Sequence, residues 1–78
     1  MSYAASRPAK LKISVISKLI GVGTLTTHKV GKKVKVQRNP TYPNMFILWF
    51  SPKDLAQIPA IELSDTIEYT DGKPEGWQ

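Results

Sequence analysis

Apolar and polar residues take turns at every second position in three separate stretches of this chain, and that period of two restricts the fold to one built from short strands. In Lys10 to Ile20, KLKISVISKLI, Leu11, Ile13 and Val15 fall on one side while Lys10, Lys12 and Ser14 fall on the other. Ile16 and Ser17 break the order, which predicts a bulge or a change of face there. Lys33 to Gln37, KVKVQ, sets Val34 and Val36 against Lys33, Lys35 and Gln37. Ala60 to Tyr69 sets Ile61, Leu63, Ile67 and Tyr69 against Glu62, Ser64, Thr66 and Glu68, with Ser64-Asp65 able to divide it into two short strands.

The punctuation between these stretches predicts the connections. Gly21-Val22-Gly23 reads as a turn, and neither GxGxxG nor GxxxxGK[ST] can be written across it, so it is no phosphate loop. Thr24 to Val30 is β-branched, and Gly31 predicts a hairpin that joins it to Lys33–Gln37. Asn39-Pro40-Thr41-Tyr42-Pro43-Asn44 is a loop, because its prolines forbid a regular ladder. Met45 to Phe50, MFILWF, has no polar member and predicts a strand buried on both faces, or covered on one face by a second subunit. Ser51-Pro52-Lys53-Asp54 has the form of a helix start, with Ser51 as N-cap, Pro52 at the first helical position and Asp54 three beyond the cap. Pro59 ends that helix, so it is expected near 52–58 with Leu55 and Ile58 facing the core together. Thr70-Asp71-Gly72-Lys73 supplies one more turn.

These readings converge on an all-β fold: a small sheet or barrel of SH3-like or OB-like type, or a swapped-hairpin dimer, with one short helix. The expected plan is a flexible arm over 1–9, a single β-rich domain over 10–73 and a tail over 74–78. With 78 residues there is room for one small core and no large enclosed active site. There is no Cys, which removes disulfides, thiolate nucleophiles and Cys-based metal centres. The longest apolar run is the six residues of MFILWF, against about 20 for a membrane helix, so no membrane partner is expected. Arg7 and Lys10 are followed by no apolar segment of the secretory kind, and the expected location is the cytoplasm.

Catalytic and metal chemistry find no constellation. His28 is the only His, which leaves no HExxH motif and no metal site of ordinary ligand count. Flanked by Thr27 and Lys29, it reads as an exposed strand residue that contacts phosphate or water, with no carboxylate near it in sequence to orient the ring. Asp65, Glu68 and Asp71 lack the order of a calcium loop. The expectation is a protein that is not an enzyme, with no catalytic residue, no metal and no cofactor.

Charge gives the positive signal. Arg7, Lys10, Lys12, Lys18, Lys29, Lys32, Lys33, Lys35 and Arg38 all precede the first acid, Asp54, while the acids share the back of the chain with only Lys53 and Lys73. The net charge is +5. Lys29, Lys32, Lys33, Lys35 and Arg38 are the expected nucleic-acid contacts, with help from Lys10, Lys12 and Lys18. Lysine also serves as a solvated guard on edge strands, where it blocks aggregation, and that reading competes. Tyr42 and Trp49 are each either packed into the domain or offered to a partner, and Trp77 either pins the tail or is exposed.

Pro52, Asp54, Leu55, Ile61, Asp65, Ile67, Glu68, Asp71 and Gly72 stand at a spacing that resembles the second half of the swapped-hairpin module of AbrB/MazE-type transition regulators and antitoxins. The resemblance covers about 22 residues. The family's Leu-Gly after the helix is Pro59-Ala60 here, and the first half of the module, which carries most DNA contacts, does not match. What the resemblance implies is an intertwined homodimer that binds DNA through basic strands or loops. The functional expectation is therefore a small nucleic-acid-binding regulator, with DNA preferred over RNA and a homodimer possible. The alternative is a compact viral or accessory inhibitor that docks on an acidic surface of a larger protein or nucleoprotein complex.

Overall fold

The computed structural model describes residues 6–72. Short alternating stretches do form strands: β1 (Arg7–Leu11), β2 (Val15–Leu19), β3 (Leu25–His28), β4 (Lys33–Arg38), β5 (Met45–Ser51), β6 (Asp54–Pro59) and β7 (Ile67–Tyr69). A 3-10 turn at Ala60–Glu62 runs into a single helical turn, α1 (Leu63–Thr66). The strands make one antiparallel sheet in the order β3-β2-β6-β5-β4-β1-β7.

The connections force that sheet to curl into a half-barrel. β1 and β2 are four places apart in the strand order, which in a flat sheet is about 19 Å. The chain from Leu11 to Val15 spans at most about 14 Å. The link from β3 to β4 also crosses four places, with residues 29–32. The second link is tied to the end of β1, Gly31 N–H donating to Leu11 O and Leu11 N–H to Lys32 O, each at 2.9 Å. Gly31 takes φ +93° there, a conformation that L side chains avoid.

Curling encloses one face. Ala9, Leu11, Val34, Val36, Phe46, Leu48 and Ile58 point inward, and Leu63 and Ile67 from the α1–β7 segment complete the cluster. Val34 and Val36 thus lie inside with Lys33 and Lys35 outside, as their alternation predicts.

Several expectations are corrected. The helix expected near 52–58 is strand β6, with Ala56 and Ile58 inward and Leu55 on the opposite face. A helix of one and a half turns cannot offset its own nucleation, whereas a strand here gains ladder bonds to β5 and β2 on both sides. Ser51 caps a turn instead, its hydroxyl accepting from Lys53 N–H at 3.4 Å. The helical turn α1 comes after Pro59, inside the alternating stretch read as one or two strands, and the 3-10 turn ahead of it leaves Ile61 87% exposed.

The hairpin expected at Gly31 does not form, because β3 pairs with β2 through the Gly21–Gly23 turn and β4 pairs with β1 and β5. That turn is closed by Leu19 N–H to Thr24 O at 3.0 Å and Gly23 N–H to Leu19 O at 2.8 Å. Lys10–Ile20 is likewise two strands, since the chain bends at 12–14 and crosses the half-barrel. Burial of MFILWF on both faces within the chain is not seen: Phe46 and Leu48 are buried, while Met45, Ile47 and Trp49 are half-buried on a face that no second layer covers among the described residues.

Residues 7–9, assigned by sequence to a mobile arm, open β1. Arg7 has a side chain only 8% exposed, donates Nε–H to Asp71 Oδ2 at 3.0 Å and Nη2–H to Asp71 Oδ1 at 3.1 Å, and lies 3.6 Å from the centre of the Tyr69 ring. The Asp71 hydrogen bond raises the Arg7 pKa above its usual value against the opposing effect of burial. The rest of the expected arm, 1–5, and the tail with Trp77 lie outside the described residues.

Candidate nucleic-acid interface

The uncovered outer face is where the predicted lysines meet. On β4, Lys33 and Lys35 project outward, and β1 sets Lys10 directly opposite Lys33 and Pro8 opposite Lys35. Like charges directly opposed across an antiparallel pair cost stability, and no hydrogen bond or ion pair engages these three lysines among the described residues. The other neighbour of Lys10 is Glu68 on β7.

Beside Lys35 stands Trp49. Register runs a single row across the outer face, Pro8–Lys35–Trp49–Leu55–Lys18–Leu25, one residue from each of six adjacent strands. Lys35 and Lys18 bracket Trp49 and Leu55 in that row, about 14 Å apart along it at ordinary strand spacing. The indole Nε1–H donates to Gln37 Oε1 at 2.9 Å, so the ring is held by an amide on the next strand. Met45, Ile47 and Pro59 add half-buried apolar surface in the rows alongside.

The sheet opens next to this row. β4 and β5 are paired from Arg38–Phe46 to Lys35–Trp49, and beyond that point β4 stays with β1 while β5 stays with β6. A cleft of about 530 Å³ fills the split, lined by Lys10, Lys33, Lys35, Trp49 and Phe50, with Gly31 among its walls. A second hollow of about 480 Å³ shares Lys35, Trp49 and Phe50 and reaches Ser51 and Pro52. Together they make a groove with aromatic floor and cationic margin.

Lys10, Lys18, Lys33 and Lys35 are therefore gathered on one face, and the other predicted contacts are not. Arg38 points to the opposite face, its guanidinium 4.9 Å from the Phe46 ring and donating to Pro43 O at 3.0 Å. Lys12 donates from Nζ to Ser64 O at 2.9 Å. Lys29 and Lys32 sit in the link that crosses the half-barrel, joined by a turn bond from Lys32 N–H to Lys29 O. Tyr42 is 63% exposed on the loop after β4, on its own and away from the lysine row.

His28 differs from its expected role. It turns inward, stacks on Phe50 with ring centroids 3.8 Å apart, and shares Nε2 between Ser17 Oγ at 2.8 Å and Asp54 Oδ2 at 3.6 Å. The orienting carboxylate comes from β6, distant in sequence. Ser17 is 1% exposed and both partners approach the same ring nitrogen, so this is not the relay in which a base contacts nucleophile and orienter through different nitrogens. It is an internal polar tie between β2, β3 and β6.

Among the described residues no group of three or more His, Asp or Glu is placed to hold a metal ion, and no helix is long and apolar enough to cross a membrane. Trp49, which the sequence left open between core and partner, is half-buried on the outer face. No family profile, no curated protein and no solved structure matches the chain, and no family is assigned to it.

Proposed function

We propose that this chain is a non-enzymatic nucleic-acid-binding protein that takes a single-stranded segment across its outer sheet face. The observation that carries this reading is the juxtaposition of a positioned, half-exposed Trp49 with Lys35, Lys33 and Lys10 around an open groove, with Lys18 farther along the same row. Bases stack on aromatic rings whatever their identity, and lysines track the phosphates on either side. The absence of a projecting helix among the described residues favours splayed bases over a duplex groove. Backbone contacts by lysine carry no sequence information, so selectivity is for single strands rather than for a particular site.

Fluorescence anisotropy of a labelled oligothymidine and of a matched duplex, titrated at several salt concentrations, tests this. The expected result is preference for the single strand and a salt slope of about −2 to −3, at about 0.7 per phosphate neutralised. In the Trp77→Phe variant the remaining tryptophan emission reports Trp49 alone, and it is quenched on binding. Absence of salt-sensitive binding to either nucleic acid overturns the reading.

The apolar strip of Met45, Ile47, Leu55 and Pro59 beside the lysines favours one alternative, docking on an acidic protein surface. An acidic peptide that binds as tightly as the oligonucleotide and displaces it selects that alternative.

A further inference from the structure

The two edges of the sheet are built differently. β7 is three residues long and has Glu68 at its centre, a charge of the kind that discourages pairing with another chain. β3, Leu-Thr-Thr-His, has no Lys, Arg, Asp or Glu at all in a chain of net charge +5, and Leu25, Thr26 and Thr27 are all exposed. Exposed apolar side chains also crowd this wing: Ile16 is 60% exposed, Leu25 65% and Val22 70%.

The backbone of β3 is likewise prepared for a partner. Leu19 N–H donates to Thr24 O, which sets the alternation of the β2–β3 ladder so that Thr24, Thr26 and His28 bond to β2. Leu25 and Thr27 then turn their N–H and C=O groups outward from the sheet edge. In an antiparallel pair, residues that exchange bonds stand opposite one another, and a two-fold axis beside Thr26 sets Leu25 of each copy opposite Thr27 of the other. That register satisfies every outward group of both residues on both copies.

We infer that β3 is a self-complementary edge through which two copies of this chain pair antiparallel, Thr26 against Thr26, to form one continuous sheet. Charge supports a second copy as the occupant. Across the joint the outer-face row reads Lys18, Leu25, then Thr27 and Ile16 of the second copy, so each Lys18 is separated from its equivalent by uncharged positions. A two-fold axis normal to the sheet also keeps both outer faces on one side at the joint, which doubles the lysine-and-tryptophan surface.

The test exploits the residue at the axis, whose side chain is exposed in the monomer. Sedimentation velocity over a wide concentration range is run on the full chain, on Thr26→Lys, on Thr26→Glu and on an equimolar mixture of the two variants. The expected masses are two chains for the parent at high concentration, one chain for either variant alone, and two chains for the mixture, with the mixture dissociating as salt is raised. Recovery in the mixture shows that the variants are folded. A parent that stays one chain at its solubility limit overturns the inference, as do single variants that dimerise unchanged, or a mixture that stays monomeric although each variant keeps the parent's circular dichroism.

Discussion

Trp49 and Gln37 are joined across β4 and β5 by an indole hydrogen bond of 2.9 Å, and this bond fixes the aspect of the broadest aromatic surface on the outer face. Replacing Trp49 by Ala removes the stacking platform and is expected to cost about 1–3 kcal/mol of oligonucleotide affinity. Gln37→Leu keeps the indole and releases it, with an expected loss of about 1 kcal/mol. Anisotropy titrations of both variants at one salt concentration check the order of the two effects.

The outer-face lysines are separable from the others by salt dependence. Lys33→Gln, Lys35→Gln and Lys10→Gln are each expected to lower the slope of log affinity against log salt by about 0.7. Arg38→Gln and Lys12→Gln are expected to leave it unchanged, because those side chains are engaged with Pro43 O and Ser64 O away from the row. Glu68→Gln removes the acid opposite Lys10 and is expected to raise affinity. Equal slopes for the two groups of variants would remove the lysine row as the site.

Buried Asn39 holds the loop after β4. Its Oδ1 accepts from Thr41 N–H at 2.8 Å and Tyr42 N–H at 3.0 Å, and its Nδ2 donates to Gln57 Oε1 at 2.9 Å. Asn39→Ala strands those groups and is expected to cost about 2 kcal/mol by urea unfolding. Asn39→Asp retains both acceptor bonds, and Gln57 can turn its amide to donate, so the expected loss is smaller.

Arg7 and Asp71 tie the start of β1 to the chain beyond β7. Asp71→Asn weakens a two-bond contact to a charged and buried guanidinium, and a loss of about 2 kcal/mol is expected in chemical denaturation. Because the Arg7 pKa is raised, the arginine's share of this contact is present throughout the neutral range and is lost only as pH rises through that raised value. A stability profile that falls between neutral and mildly alkaline pH would assign the effect to another group.

Local alternation made individual strands legible and left their partners hidden. KVKVQ announced both its strand and its faces, since Val34 and Val36 have lysines for neighbours on either side. MFILWF announced a strand without faces, because a run of apolar residues has no phase, and Trp49 was therefore hard to place. Ser51-Pro52-Lys53-Asp54 suits a tight turn as well as a helix start, and the choice was made by β5 and β2, which lie on either side of β6. The lysines divided for a similar reason. Lys18 joined Lys35 in one row through two intervening strands that no local pattern connects, while Lys29, next to the hairpin expected at Gly31, fell on a link across the half-barrel.

The position of β1 also orders events in time. It lies between β4 and β7, so β1 has no neighbour until Lys33–Arg38 has been made, and its second neighbour, Ile67–Tyr69, is made later still. The β4–β5–β6 meander is local and closes through short turns, and it is the natural nucleus. Arg7–Leu11 must then wait unpaired until the meander offers an edge. Loop closure across most of the chain places folding on the millisecond-to-second scale of β topologies rather than that of helical bundles. Substitutions in β1 should consequently speed unfolding and leave the folding rate nearly untouched, whereas those in β5 should slow folding itself.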